Sequence, residues 1–176
     1  MKRVASVLLL VVLLPFPSSA HAAAGPGLCF GQEPTIRGTG YVVGTAGPDV
    51  IVTTGAAEVH ALGGDDRVCG AFLVYGGAGD DRVRYTRADG DYPELDGGPG
   101  DDVLLLGGNR FGHVRGGGGD DVLRSGGGEQ FLHGGPGRDR INGGPGPDTI
   151  IGAGGADVAD GGRGQDSCSA ETVRRC

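Results

Sequence analysis

An aspartate returns at the sixth position of a nine-residue unit, GGxGxDxUx, in which U is a large aliphatic residue. The clearest copies read GGAGDDRVR, GGPGDDVLL, GGGGDDVLR and GGPGRDRIN. In chain order the copies begin at Gly44, Ala61, Gly76, Gly97, Gly116, Gly134, Gly143, Gly152 and Gly161, of which the first two are degenerate. Carboxylates that recur in glycine-rich turns are oxygen ligands suited to a hard divalent cation.

The spacing of the units predicts how these turns are positioned. Starts at residues 44, 61, 76, 97, 116, 134 and 152 are 17, 15, 21, 19, 18 and 18 residues apart, so two units complete one coil. The glycines at positions one, two and four are expected to form a tight turn with φ > 0, and positions seven to nine a short strand. We therefore predict an all-β fold, a right-handed parallel β-roll (β-helix) of about seven coils.

The core of this β-roll is expected to consist of two columns of inward-facing side chains, one on each sheet. The first column contains Ile51, Val68, Val83, Leu104, Leu123 and Ile141, with Ala159 as its weak spot. The second contains Val59, Val74, Leu95, Val114, Leu132, Ile150 and Cys168. Gly supplies 40 of the 176 residues and there is no Trp, so a thin core of this kind fits better than a large globular one.

Stacked turns place their sixth-position aspartates one above another, where ionised carboxylates repel unless a cation lies between them. The expected metal ligands are Asp49, Asp66, Asp81, Asp102, Asp121, Asp139, Asp148, Asp157 and Asp166. Backbone carbonyls and carboxylates together favour several Ca²⁺ ions; Mg²⁺ fits such a site less well, and all-oxygen ligation argues against zinc or copper. The alternative, that these aspartates only cap turns, is disfavoured by the number of copies.

The N-terminus has the pattern of a secretory signal peptide over residues 1–24, with Lys2 and Arg3 before an apolar run and possible cleavage sites between Ala22 and Ala24. Residues 25–43 are then an N-terminal cap, 44–169 the β-roll and 170–176 a C-terminal disulfide cap. The formal net charge of −7 disfavours nucleic acid and, after cleavage, a membrane as partners.

Four cysteines, Cys29, Cys69, Cys168 and Cys176, remain after cleavage, and an even number in an exported chain favours disulfides. Three pairings are possible. We favour Cys29–Cys69 with Cys168–Cys176, because each would fasten one end of the array, where a coil lacks a neighbour. A zinc site is disfavoured because there is no CxxC pair and no histidine near a cysteine.

The units from Gly76 onward resemble the RTX, or hemolysin-type, calcium-binding repeats of secreted bacterial proteins, and the resemblance covers about residues 38–169. It implies a calcium-filled β-roll that is disordered without calcium and folds after export, with the sixth-position aspartates as ligands. The chain departs from many such proteins in its N-terminal signal and in the lack of a toxin, protease or lipase domain. It looks closer to small, exported, repeat-only members.

We expect no catalytic site, because no GxSxG, HExxH or P-loop motif occurs. The favoured function is a calcium-binding structural or interaction module outside the cell, with a cell-surface or polysaccharide partner possible. The alternative is a polysaccharide-active β-helix enzyme of the epimerase or lyase kind, or an accessory carbohydrate-binding module. The insertion Tyr85–Glu94 is interpreted as a bulge between coils, with a ligand-contact loop as the alternative.

Overall fold

The computed structural model of this protein describes residues 27–86, 92–108 and 111–176, and the predicted signal peptide lies outside these residues. Within them the regular structure consists entirely of strands. The strands are β1 (Ile36–Val43), β2 (Val50–His60), β3 (Arg67–Cys69), β4 (Leu73–Tyr75), β5 (Arg82–Tyr85), β6 (Glu94–Pro99), β7 (Val103–Leu106), β8 (Phe111–Gly118), β9 (Val122–Arg124), β10 (Glu129–Gly137), β11 (Arg140–Asn142), β12 (Thr149–Gly155), β13 (Val158–Asp160), β14 (Ser167–Ser169) and β15 (Thr172–Arg174).

Every pairing between these strands is parallel, and each strand after β2 pairs with the strand two places further along the chain. The odd-numbered strands from β3 to β15 therefore form one face, and the even-numbered strands from β4 to β14 form the other. The long strand β2 contributes its first half to one face and its second half to the other. This is a β-solenoid of about seven turns, which confirms the predicted parallel β-roll.

Both predicted core columns are confirmed by the register of the strands. On the odd face Leu104 pairs with Val83 on one side and Leu123 on the other, and all three are fully buried. On the even face Val114 pairs with Leu95 and Leu132 in the same way. Ala159 is buried in line with Ile141. The columns form because every coil contributes one inward aliphatic residue from each sheet.

Tyr85 is a core residue that the sequence assigned to a loop. Its side chain is fully buried, and the residue extends β5 by one position so that it pairs with Leu106 of β7. The proposed ligand-contact loop therefore starts after Tyr85. Residues 87–91 of that insertion lie outside the described residues.

Both ends of the array are fastened by the disulfides favoured from the sequence, Cys29–Cys69 and Cys168–Cys176. The first joins the segment before β1 to β3, and the second joins β14 to the end of the chain. Each is worth about 2–4 kcal/mol of stability in the chain-entropy model. In the described part of the chain, no helix is both long and apolar enough to cross a bilayer.

Candidate calcium site

The glycines of each turn serve two different purposes. At positions two and four they adopt positive φ, as in Gly98 (φ 108°) and Gly100 (φ 141°), which lets the chain reverse before the next strand begins. At position one, Gly97 and its equivalents are absent from the positive-φ residues. There glycine permits the close approach of the neighbouring coil, because a side chain would meet atoms of that coil.

The sixth-position aspartates of successive coils form a vertical ladder. The backbone N–H of each aspartate donates to Oδ1 of the aspartate in the next coil, over 2.7–2.9 Å. The ladder comprises Asp49, Asp66, Asp81, Asp102, Asp121, Asp139 and Asp157. All seven side chains are buried. The vertical alignment expected from the repeat is thus present along the whole edge.

A residue outside the repeat completes this ladder. The N–H of Asp157 donates to Oε2 of Glu171 (2.8 Å), so Glu171 takes the place of the aspartate that an eighth turn would supply. The sequence analysis missed Glu171 because no GGxGxD unit precedes it. The signal available was its position 14 residues after Asp157, directly before a terminal strand.

A shorter ladder lies on the opposite edge. The N–H of Asp148 donates to Oδ1 of Asp166 (2.9 Å), and the N–H of Gln130 donates to Oδ1 of Asp148 (3.0 Å). Gln130 occupies the sixth position of the degenerate unit SGGGEQFLH and carries no charge at that place. Among the described residues, Asp148 and Asp166 are therefore the aspartates of this shorter ladder.

Except at Asp49, the second oxygen of each buried ladder carboxylate has no hydrogen-bond partner among the described residues. These atoms are Oδ2 of Asp66, Asp81, Asp102, Asp121, Asp139, Asp148 and Asp157. A buried carboxylate oxygen without a partner is costly, so a repeated set of them indicates a missing positively charged partner.

Five of these oxygens, those of Asp81, Asp102, Asp121, Asp139 and Asp148, meet a backbone carbonyl in front of the position-one glycine. A Cβ placed on Gly97 would lie 2.1 Å from Oδ2 of Asp102 and 2.5 Å from the carbonyl oxygen of Gly116 in the next coil. The same pair of oxygens, one carboxylate and one carbonyl, faces Gly76, Gly116, Gly134 and Gly143. We call each such arrangement a cradle. It brings together oxygens from two consecutive coils.

The last cradle uses the C-terminal segment. A Cβ on Gly161 would lie 2.5 Å from Oδ2 of Asp166 and 2.4 Å from the carbonyl oxygen of Arg175. Arg175 thus supplies the carbonyl that a further coil would supply elsewhere. The Cys168–Cys176 disulfide holds this segment in place.

The two N-terminal members of the long ladder differ from the others. Oδ2 of Asp49 accepts hydrogen bonds from the backbone N–H (2.7 Å) and hydroxyl (2.9 Å) of Thr45. The turn of Asp66 has Ala61 at position one, and its Cβ occupies the space that glycine leaves open elsewhere. The cradles that match one another most closely therefore begin at Gly76.

Burial raises the pKa of six ladder carboxylates above the ordinary value of 3.8, and neighbouring carboxylates contribute to the increase. The pKa is raised to about 8 for Asp102, and to about 7 for Asp66, Asp121 and Asp148. For Asp81 and Asp139 it is raised to about 6. Hydrogen bonds from the backbone lower these pKa values but do not offset desolvation. Without a cation, the folded protein favours protonated ladders.

The oxygens of the cradles fit calcium. Among residues 27–86, 92–108 and 111–176 no three histidine, cysteine, aspartate or glutamate side chains converge to hold a metal on their own. A cation between two coils would therefore rely on backbone carbonyls as well as carboxylates, which is a ligand set that calcium accepts. Zinc through cysteine is excluded, because all four cysteines form disulfides.

A second, exposed ladder runs beside the first at position five. The N–H of Asp101 donates to Oδ1 of Asp80 (2.9 Å), and that of Asp120 donates to Oδ1 of Asp101 (2.7 Å). Asp120 also forms an ion pair with Arg138 (2.9 Å). These hydrogen bonds between coils were not anticipated from the sequence, and the side chains of Asp80 and Asp101 are exposed to solvent.

In the absence of calcium, the protein is expected to be more stable at pH 5 than at pH 9. A carboxyl group whose pKa is raised in the folded state stabilises the protein fully at pH values below its pKa in the unfolded chain. This stabilisation is lost as the pH rises through the pKa in the folded state. The values of about 6 to about 8 place most of this loss between those pH limits. The sucrose concentration that folds the calcium-free chain, followed by circular dichroism at each pH, tests this expectation. A required concentration that falls as pH rises over the same range would contradict it.

Two stretches, residues 73–86 and 133–168, match a family model described as RTX calcium-binding nonapeptide repeat, in four copies. They include the turns of Asp81, Asp139, Asp148, Asp157 and Asp166. No curated protein and no solved structure matches the chain.

Proposed function

We propose that the several Ca²⁺ ions bound by these RTX-type repeats lie between successive turns and are required for folding. The observation that carries the proposal is the row of buried Oδ2 atoms without partners. Calcium would supply the positive charge that allows the carboxylates to remain ionised while buried. The side-chain ligands with the best-matched cradles are Asp81, Asp102, Asp121, Asp139, Asp148 and Asp166. Asp157 is a further proposed ligand, in a turn that has Ala153 in place of the second glycine.

Asp49 and Asp66 complete the proposed ligand set at the N-terminal end of the long ladder. Their cradles are altered by Thr45 and Ala61, so we expect calcium to bind there more weakly than in the other turns. Glu171 closes the other end, where its carboxylate takes the position of a ladder aspartate.

We propose that the protein acts outside the bacterial cell, after removal of residues 1–24. The two disulfides support this location because such bonds persist in oxidising compartments. Extracellular calcium is also abundant enough for modules with dissociation constants of about 0.1–1 mM. In this arrangement residues 25–43 cap the first coil, 44–169 form the calcium-binding β-roll and 170–176 cap the last coil.

The proposed role is structural, or that of a module that binds a cell-surface or polysaccharide partner. A polysaccharide-active enzyme is the second candidate, because a groove on the even face is lined by Glu94, Asp96, His113, Arg115 and His133. These residues include the acid, base and arginine that such an enzyme would need. Release of unsaturated sugars from a uronate polymer would favour the enzyme.

Circular dichroism during a calcium titration tests the proposed function. The chain without residues 1–24 is expected to change from coil to β-structure, with a midpoint of about 0.1–1 mM. Magnesium is the matched control, and it should be less effective because it requires a tighter octahedral shell. A β-spectrum that persists in chelator at neutral pH would contradict the proposal.

A further inference from the structure

The outer surface of the odd face has a groove of about 630 Å³ at its C-terminal end. Strands β9, β11, β13 and β15 form its floor. In register across these strands, Arg124 lies beside Asn142, Asn142 beside Asp160, and Asp160 beside Arg174. Arg140 lies in the adjacent column, between Val122 and Val158.

Arginine dominates the charge of this groove although the chain as a whole is acidic. Arg124, Arg140 and Arg174 are exposed, and none forms a side-chain hydrogen bond or ion pair with the described residues. The single lining carboxylate, Asp160, accepts hydrogen bonds from Arg175, one of them from Nε at 2.7 Å. The negative charge in the groove is thus already neutralised, and three guanidinium groups remain open to a ligand.

We propose that this groove binds an acidic polysaccharide that carries carboxylate or sulfate groups. A guanidinium group donates two parallel hydrogen bonds to such groups, and Arg124 and Arg140 lie on strands about 4.8 Å apart. Successive anionic groups of an extended sugar chain are therefore recognised along the axis of the solenoid. Val122 and Val158 offer apolar contact to the sugar rings between the charges. This inference rests on the proposed extracellular function.

The surroundings of the groove favour a polysaccharide over a membrane or nucleic acid. The exposed aromatic residues of the described chain, such as Tyr75 and Phe131, lie outside the odd face, which therefore lacks rings to insert into lipid or stack on bases. At the other end of the same face, Arg67 and Arg82 follow the exposed Asp65 and Asp80 by two residues, so acids accompany those arginines.

Two double variants that remove the same charge from different ends of this face test the proposal. R124Q/R140Q changes the groove, and R67Q/R82Q is its matched control. Binding to hyaluronan and to dextran sulfate, with neutral dextran as a blank, is measured in calcium by titration calorimetry. We expect R124Q/R140Q to weaken binding at least about tenfold, by loss of charge-assisted hydrogen bonds, and R67Q/R82Q to leave it within about twofold.

Each other outcome overturns the proposal. Equal losses in both variants would show that net charge alone attracts the polymer. Equally tight binding to phosphatidylserine vesicles or duplex DNA would assign the groove to another class of partner. Circular dichroism of every sample shows whether a loss of binding is due to a loss of folding. Wild-type protein that folds with calcium but binds neither polymer refutes the groove proposal alone. Failure of calcium to fold the chain refutes the proposed function instead.

Discussion

Replacement of Asp121 by asparagine is expected to stabilise the calcium-free protein and to weaken its response to calcium. Asparagine keeps an oxygen that can accept the hydrogen bond from the N–H of Asp102, which Oδ1 of Asp121 now accepts at 2.8 Å. It also replaces a buried, negatively charged carboxylate, whose Oδ2 has no hydrogen-bond partner in the described structure, by a neutral amide. The opposite signs of the two effects distinguish a metal ligand from a residue that only caps a turn.

The free energy of unfolding in chelator at pH 8 is expected to increase by about 1–3 kcal/mol in the Asp121→Asn variant. This pH lies above the raised pKa of Asp121, about 7, so the wild-type side chain is ionised there. In calcium the same variant should be less stable than wild type, and the midpoint of the titration should rise about tenfold. The shift in the sucrose concentration that folds each chain in chelator measures the first quantity, and urea unfolding and titration in calcium measure the others.

Asp101 provides the matched control in the same part of the β-roll. It belongs to the exposed ladder, where Oδ1 accepts the N–H of Asp120 at 2.7 Å, and asparagine can accept that bond as well. The Asp101→Asn variant should therefore change stability by less than about 0.5 kcal/mol in either condition. Equal effects at Asp101 and Asp121, or destabilisation by Asp121→Asn in chelator, would refute a ligand role for the buried ladder.

The core columns and the aspartate ladder could be predicted from the sequence because both depend only on the period of the repeat. One aliphatic residue per sheet and per coil is sufficient to place Leu104 between Val83 and Leu123 once the strands are parallel. The same period places Asp102 between Asp81 and Asp121. These features could be predicted without any knowledge of the chain between the motifs.

Features at the ends and irregularities of the repeat could not be predicted, because the period gives no information there. Glu171 continues the ladder from a segment without the motif, and Thr45 occupies the free oxygen of Asp49. Both depend on how the chain approaches the first or last coil. Tyr85 is buried because β5 is one residue longer than the repeat requires. At Glu171 and Tyr85 a contact between residues distant in sequence overrides the local pattern, whereas at Asp49 a local contact with Thr45 replaces it.

The arginine-lined groove could not be predicted for a related reason. Arg124 and Arg140 occupy positions nine and seven of their units, and Arg174 follows the last unit, so the three look scattered in the sequence. Only the register of β9, β11, β13 and β15 brings them to one end of one face. The net charge describes the whole chain, so it gave no indication that arginines cluster at one end of this face.

Replacement of Gly97 by alanine is expected to cost stability and to disable a cradle in the same step. The new Cβ would lie 2.1 Å from Oδ2 of Asp102 and 2.5 Å from the carbonyl oxygen of Gly116, so these two oxygens must move apart. Overpacking of this kind costs about 1–3 kcal/mol. Because both displaced atoms are proposed ligand groups, the stabilisation by calcium should fall as well, and the titration midpoint should rise about tenfold.

Gly118 is the matched control, since a Cβ there would meet no atom within 4 Å and its φ is not positive. Gly118→Ala should be neutral or slightly stabilising, because alanine reduces the entropy of the unfolded chain.

Comparison with an Asp102→Asn background separates the steric effect of Gly97→Ala from its effect on calcium binding. In that background Gly97→Ala should still destabilise the calcium-free protein but should cause little further loss of calcium response. A full additional loss would mean that Gly97 and Asp102 serve different sites, and that the cradle is not a single unit.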